Sequence, residues 1–443
     1  MGFSDYIVSG VFIIILSTII YAFSLSISNR TTRSYFIWGA HLKLLGGISF
    51  ALIHYYYYGG GLHFYGDTAH YFRSIQLLNN LFFEQPLAAL KIIFGSNNYQ
   101  TNSELFFYTT KIFNYNNDPE FFVIRFGTIV SFVAFNNYIV ISILYGLFCF
   151  WGQWKMFLVF TDLYPTLKRQ AAIVTLFMPS IIFWGSGLLK DPLTMGALGF
   201  LFSAMYNLLI KRRSMIVSII FLLIGILILL EVKKYILISF LPACIVWVFY
   251  TYATNIKNKI WKILILPACL LIGFLISVFA INALTIDDPI YGLDDFGRRA
   301  KISADYLYYV SQKQGGSSYY LGELDGSLES ALNLAPSAVI VALYRPFIWE
   351  VKNPAMLLSA LESLVFLILT LYVLLKVGFF ASFYIILKSP FVQFCLVFSI
   401  IFAFAIGVTT FNFGSLVRYK IPLIPFYLMA ILVIFHQYRL KRF

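Results

Sequence analysis

The sequence predicts an all-α, polytopic transmembrane bundle of about eleven spanning helices, and three observations predict it. The chain is 60% hydrophobic and only 12% charged, with a mean hydropathy of +0.83; soluble domains carry roughly a quarter charged residues. Apolar stretches near the roughly 20 residues needed to cross a bilayer recur from the first turn to the last. Basic clusters fall at every second junction between them, which is the pattern of a chain that weaves through a membrane. Residues 1–443 read as a single integral membrane domain.

The predicted spans are Ile7 to Ile27, Tyr35 to Tyr57, Tyr138 to Phe160, Ala171 to Gly187, Pro192 to Ile210, Met215 to Leu230, Tyr235 to Tyr250, Ile263 to Ile281, Met356 to Leu375, Phe391 to Thr409 and Ile421 to Phe435. The first lacks a basic n-region and a small-residue cleavage site, so it reads as a retained helix rather than a secretory signal. The stretch Phe121 to Phe135 reads as an interfacial or re-entrant helix, and Phe82 to Gly95 as a short helix on the membrane surface.

Arg30 and Arg33, Lys168 and Arg169, Lys211 to Arg213, Lys257 to Lys262, Lys376 and Lys388, and Arg439 to Arg442 form the basic clusters. The positive-inside rule makes them cytoplasmic. The N-terminus is then outside, the C-terminus inside, and two long loops face out: Gly59 to about Asn137 and Ala283 to about Pro354, residues 59–137 and 283–354. The formal charge of +13 therefore belongs with anionic headgroups at segment ends, not with nucleic acid. Cys149, Cys244, Cys269 and Cys395 lie in apolar stretches without metal-ligand spacing and read as buried thiols.

Ionisable residues against a membrane are expensive and are functional candidates by default. Five places stand out, all on the predicted outer side. The first is Tyr65-Gly66-Asp67-Thr68 with His70, Tyr71 and Arg73, where Asp67 either serves as general base for an attacking hydroxyl or caps a helix starting near Thr68. The second is Lys190-Asp191-Pro192, a tight turn after Pro179, Trp184, Gly185 and Gly187. Here too Asp191 is either a cap or a site residue, with Lys190 beside it at the interface. Glu231, Lys233 and Lys234 form the third, at another tight turn. Arg298, Arg299 and Lys301 form the fourth, as an anion site or as solvated loop residues. The fifth pairs Tyr344-Arg345-Pro346-Phe347, Trp349 and Glu350 with Arg418-Tyr419-Lys420, Pro422 and Pro425. Each puts an arginine beside aromatic rings, where it forks onto phosphate oxygens or snorkels within an aromatic belt. An outer carboxylate, a Lys-Asp turn and several arginines together describe a site for a phosphate-bearing lipid and a hydroxyl acceptor.

Asp67 in the first large loop, Lys190-Asp191-Pro192 after a Pro179-bearing span, and Arg418-Tyr419 with Pro422 and Pro425 make the chain resemble the GT-C superfamily of membrane glycosyltransferases. The nearest group is the one like protein O-mannosyltransferases and aminoarabinose transferases. The resemblance implies a GT-C-like bundle with extracytoplasmic loop helices, which moves a sugar from a polyprenyl-phosphate donor to a glycan, lipid or protein acceptor, commonly with inversion. It implies Asp67 as general base, Asp191 as the second-loop acidic position and Arg418 as a cation near the carrier phosphate. Lys190, Arg345, Tyr419 and His70 join them as expected substrate or phosphate contacts. Two departures matter: Asp67 follows the second apolar segment rather than the first, and it lacks an adjacent acidic partner. The resemblance implies no cofactor firmly; a divalent metal stays possible, an option that the second departure weakens. A bacterial inner membrane with the site facing the periplasm is the implied location.

Two other readings stay open. A polysaccharide polymerase or ligase would also use lipid-linked glycans but would rely on Arg298, Arg299 and Arg345. A lipid or glycolipid transporter would show matching halves or broken helices near the midplane.

Overall fold

The computed structural model describes residues 1–99, 102–253, 268, 271–272, 275, 293–313, 316–352 and 354–441. Among them the chain is helical throughout, with one isolated antiparallel bridge, Ser318 to Asn412. Eight helices are long and apolar enough to cross a membrane, or nine when the pair Phe413–Tyr419 and Ile424–Leu440, bent by 67°, is taken as one span. The chain is a helical integral membrane protein. All of the expected span Ile263 to Ile281 except residues 268, 271, 272 and 275 lies outside the described residues, as do Cys269, the Lys257 to Lys262 cluster and Arg442.

The chain divides into two compact units. The first, Met1–Ala204 with Ile216–Lys234, holds α1 (Phe3–Ser24), α2 (Arg30–Leu52), α3 (Asp67–Glu84), α4 (Pro86–Phe94), α5 (Asp118–Val133), α6 (Tyr138–Leu163), α7 (Pro179–Trp184), most of α8 (Lys190–Met205) and most of α9 (Met215–Val232). Side-chain caps fix several starts. Asn29 accepts from the amide of Thr32 at 2.9 Å to open α2, and Asn137 accepts from Val140 at 3.0 Å to open α6. Asn137 also ties down α1, donating to the Asp5 carbonyl at 2.9 Å and accepting from Ser9 at 3.2 Å. Small residues bring α2 against α6: a Cβ on Gly47 would stand 3.0 Å from the Ile143 backbone. Close approach of this kind is what holds helices together where lipid removes the hydrophobic drive.

The expected span Ala171 to Gly187 is not one helix. Lys168–Ala172 runs into a π-helical turn at Ile173–Phe177, Met178 is extended with ψ 126°, and α7 begins at Pro179. Proline has no amide hydrogen to give the preceding turn and pushes the residue before it out of helical geometry. The chain from Gly185 to Leu189 is non-helical and buried.

The second unit, Met205–Met215 with Tyr235–Phe443, holds the bulk of α10 (Lys234–Ala253), then α11 (Leu293–Lys313), α12 (Ala335–Tyr344), α13 (Pro354–Val377), α14 (Phe379–Lys388), α15 (Pro390–Thr410), α16 (Phe413–Tyr419) and α17 (Ile424–Lys441). Aromatic rings fill its core. Trp247 stacks on Phe394 at 4.9 Å, Phe240 meets Phe394 at 5.5 Å, and Phe398 meets Phe426 at 4.9 Å. An extended segment crosses the elbow between α15 and α16, where the Phe413 amide donates to the Ser317 carbonyl at 2.9 Å and the Tyr319 amide to Phe411 at 3.3 Å.

Candidate functional site

Helix α3 starts from Gly66, whose φ of +77° is a conformation glycine adopts without a Cβ penalty. Gly66 occupies the cap position and Asp67 is the first helical residue, so the carboxylate stands in the first turn, exposed, at the positive end of the helix. The helix is amphipathic. Thr68, Tyr71, Phe72, Ile75 and Leu78 are buried at i, i+3 and i+4 spacing and dock on α5, leaving Asp67, His70 and Arg73 exposed. Thr68 shares a 2.6 Å hydrogen bond with the Tyr138 hydroxyl, and the His70 ring stacks on Phe113 at 4.6 Å. Tyr71 lies one turn after Asp67 on the buried face, and its hydroxyl donates to the Glu120 carboxylate.

Glu120 lies in the first turn of α5, which Asn117 caps and Pro119 opens. Its other oxygen accepts from Lys190 Nζ at 2.6 Å, in a pair whose side chains are 21% and 18% exposed. Asp191, the next residue, is buried, and its Oδ1 accepts from Lys233 Nζ at 2.6 Å. The sequence expectation put Asp191 at the interface with Lys190 as neighbour; instead α8 turns Asp191 inward against a lysine from the turn between α9 and α10. Arg125, one turn further along α5, lies over the Phe121 ring at 4.5 Å and donates to the Gly95 carbonyl. Burial lowers the Arg125 guanidinium from its usual range, while Glu231, Tyr115 and Asp118 oppose that shift. Burial likewise raises the Tyr115 phenol.

Three of the five polar places named from sequence therefore join in the first unit. Tyr71, one turn after Asp67, bonds Glu120, Glu120 bonds Lys190, and Asp191 bonds Lys233. Glu120 makes the central link, and nothing in its sequence context beyond its place before the Phe121 to Phe135 stretch pointed to it.

Arg345, Arg418 and Tyr419 belong to the second unit. The Arg345 guanidinium forks onto Glu350, with Nε 3.1 Å from both carboxylate oxygens and a second nitrogen on Oε1. Aromatic faces of Phe413, Tyr319 and Phe347 surround it at 5.0 to 5.9 Å. The planar fork that the sequence offered to a phosphate thus closes on an internal carboxylate. Arg418 lies 5.8 Å from the Tyr419 ring at the end of α16, ahead of the bend rather than within the last helix, which begins at Ile424. Lys420 is wholly buried and donates to Ser363 Oγ at 2.6 Å and to the Arg345 carbonyl at 3.2 Å. Arg298 is exposed on α11.

One buried cation escaped the sequence reading. Lys43 lies in the middle of α2, 1% exposed, and its ammonium donates to the carbonyls of Ile181 at 2.7 Å and Gly185 at 3.1 Å and to Cys149 Sγ at 3.5 Å. These carbonyls end the short helix α7, so Lys43 supplies the positive charge that a helix C-terminus favours. Its position inside the second span was the signal that would have found it. Cys149, Cys244 and Cys395 are free and buried.

Among the described residues no group of three or more His, Cys, Asp or Glu side chains could hold a metal ion. Comparison with protein-family models, curated proteins and solved structures returns no match.

Proposed function

We propose that the chain is a membrane glycosyltransferase of the GT-C kind, which moves a sugar from a polyprenyl-phosphate donor to an acceptor hydroxyl with Asp67 as general base. One observation carries the reading: Tyr71 of α3, one turn after the exposed Asp67, and Lys190 of α8 both bond the Glu120 carboxylate, so the helix that carries Asp67 is tied to the Lys190-Asp191 turn. A base and a cation in one compact unit are what an inverting displacement needs.

In the proposed reaction the acceptor hydroxyl gives its proton to Asp67 as its oxygen bonds to the anomeric carbon. The bond from that carbon to the carrier phosphate breaks with its electron pair, and the phosphate leaves as an anion. Lys190, partly exposed and balanced at rest by Glu120, stabilises that growing charge. The reading rests on the first unit alone. In this reading the chain crosses the membrane about eleven times, as its hydropathy predicts. The positive-inside rule then turns Asp67 to the extracytoplasmic face.

A panel of polyprenyl-phosphate sugars incubated with the purified full chain in lipid nanodiscs tests the proposal. The wild type is expected to consume at least one donor, and Asp67→Asn to lose nearly all turnover while keeping the wild-type melting temperature. Absence of turnover with every donor, or full activity in the folded Asp67→Asn protein, overturns it. The broken helix at Met178 and Pro179, with Lys43 at its end, favours a second reading as a lipid or glycolipid transporter. Transport of a labelled glycolipid into liposomes that survives Asp67→Asn would select that reading.

A further inference from the structure

After Glu362 the sequence contains no Asp or Glu, while lysine and arginine continue to the end. The structure brings several exposed cations of the second unit to one short helix, α14. This helix has ten residues, about 15 Å of length, too short to cross a bilayer. Gly378, at φ +84°, turns the chain into it, and Ser389 and Pro390 lead out into α15. Ser382 and Ile385 are buried on the side that packs against α13, α15 and α17. The other side is aromatic and bare: Phe379, Phe380, Phe383, Tyr384 and Leu387 are exposed, Phe380 to 86%.

Exposed cations bracket this face. Lys376 ends α13, and Lys388 ends α14 with its ammonium 5.1 Å from the Tyr384 ring. Tyr250 of α10 donates to the Leu387 carbonyl at 2.6 Å. Two residues on, the Tyr252 hydroxyl bonds the Leu209 carbonyl and receives Arg212 at 3.4 Å. The Lys211-Arg212-Arg213 turn is thereby held at the same end of the unit as α14. Gln437 of α17 reaches Ser389 at 3.5 Å, which brings exposed Arg439 to that end as well.

We propose that α14 lies in the plane of the membrane and, with Lys376, Lys388, Arg439 and the Lys211 to Arg213 turn, forms a binding surface for anionic phospholipids. The occupant follows from the charges. A partner for this surface must be apolar in the middle, to cover three phenylalanines, and negative around the rim. An acyl layer beneath anionic headgroups has that profile, with the aromatic side sunk roughly 5–10 Å below headgroup level and the lysines at phosphate height. A second copy of the chain brings like charge against like charge and does not. The positive-inside rule reads the same end as cytoplasmic, the leaflet where anionic lipids attract basic segments. The surface is independent of the reaction proposed above.

The test uses the full chain in nanodiscs of phosphatidylcholine alone or mixed with phosphatidylglycerol. A nitroxide placed by Phe380→Cys or Phe383→Cys is expected to relax with oxygen, the lipid-phase reagent, rather than with an aqueous nickel chelate. Lipid titration followed by native mass spectrometry is expected to show retention of phosphatidylglycerol over phosphatidylcholine. The double variant Lys376→Gln/Lys388→Gln should weaken phosphatidylglycerol binding roughly ten- to thirty-fold, with melting temperature and phosphatidylcholine binding unchanged. Nickel-accessible labels, equal retention of the two lipids, or an unaltered double variant overturns the proposal. So does a short label-to-label distance between two copies, which would mean that the chain covers this face with itself.

Discussion

Removing the Lys233 ammonium tests whether the Asp191 turn is built around a buried charge pair. In Lys233→Met the side chain keeps its length and apolar stem but leaves the Asp191 carboxylate without the cation now 2.6 Å away. The two side chains are only 6% and 1% exposed, so water cannot replace the lost partner and the cost follows the buried regime, about 3–5 kcal/mol. For a unit of roughly 220 residues that corresponds to a fall of roughly 6–20 °C in melting temperature. The pair Lys91 and Glu104, at 3.0 Å but 53% and 81% exposed, is the internal control: Lys91→Met should change stability by under about 1 kcal/mol. Thermal unfolding in detergent, followed by tryptophan fluorescence, reads both. Asp191→Asn combined with Lys233→Met should recover most of the loss, because removing both charges also removes the unpaired one. A Lys233→Met protein that melts with the Lys91→Met control, or a double variant that falls as far as either single one, would refute the reasoning.

Lys43→Met takes the ammonium donor from the Gly185 carbonyl and leaves the Ile181 carbonyl with the Gly185 amide alone, and a buried acceptor left unmet costs about 1–3 kcal/mol. The expected result is a fall in melting temperature; unchanged stability would count against the cap. Glu120→Gln keeps an acceptor for Tyr71 but removes the negative charge that holds Lys190. It should change kcat for a polyprenyl-phosphate donor, because Lys190 acts on charge that grows in the transition state, and the effect should vanish in a Lys190→Met background. A Glu120→Gln effect of equal size with and without Lys190 would show that the two side chains act separately.

Much of the helical scaffold was legible because hydropathy and length are local properties. The starts at Tyr138 and Met215 coincide with the expected ones, and the expected span at Phe391 begins one residue from the observed helix. The failure at Ala171 to Gly187 has a local cause that hydropathy ignores, since Pro179 is apolar enough to extend a span yet cannot continue a helix. The site was legible as ingredients rather than as pairs. Asp67, Lys190, Asp191 and Lys233 stood out as ionisable residues at segment ends, but Lys190 meets Glu120 across 70 positions and Lys233 meets Asp191 across 42. Nothing in one sequence encodes which ends meet. Lys420 shows the converse error: grouped with Arg418 as an edge cation, it is wholly buried.

The buried ammonium of α2 also bears on how the protein is made. Lys43 leaves the ribosome 138 and 142 residues ahead of the two carbonyls that accept from it. At roughly 5–20 residues per second, the second helix waits on the order of ten to thirty seconds before its permanent acceptors are synthesised. A lysine at the centre of an inserting helix disfavours entry into lipid by roughly 2.5–3.5 kcal/mol. Early in biogenesis α2 is thus a reluctant segment, best kept beside the insertion machinery or water until α7 arrives. The completed α2 and α7 are then partners in insertion as well as neighbours in the finished fold.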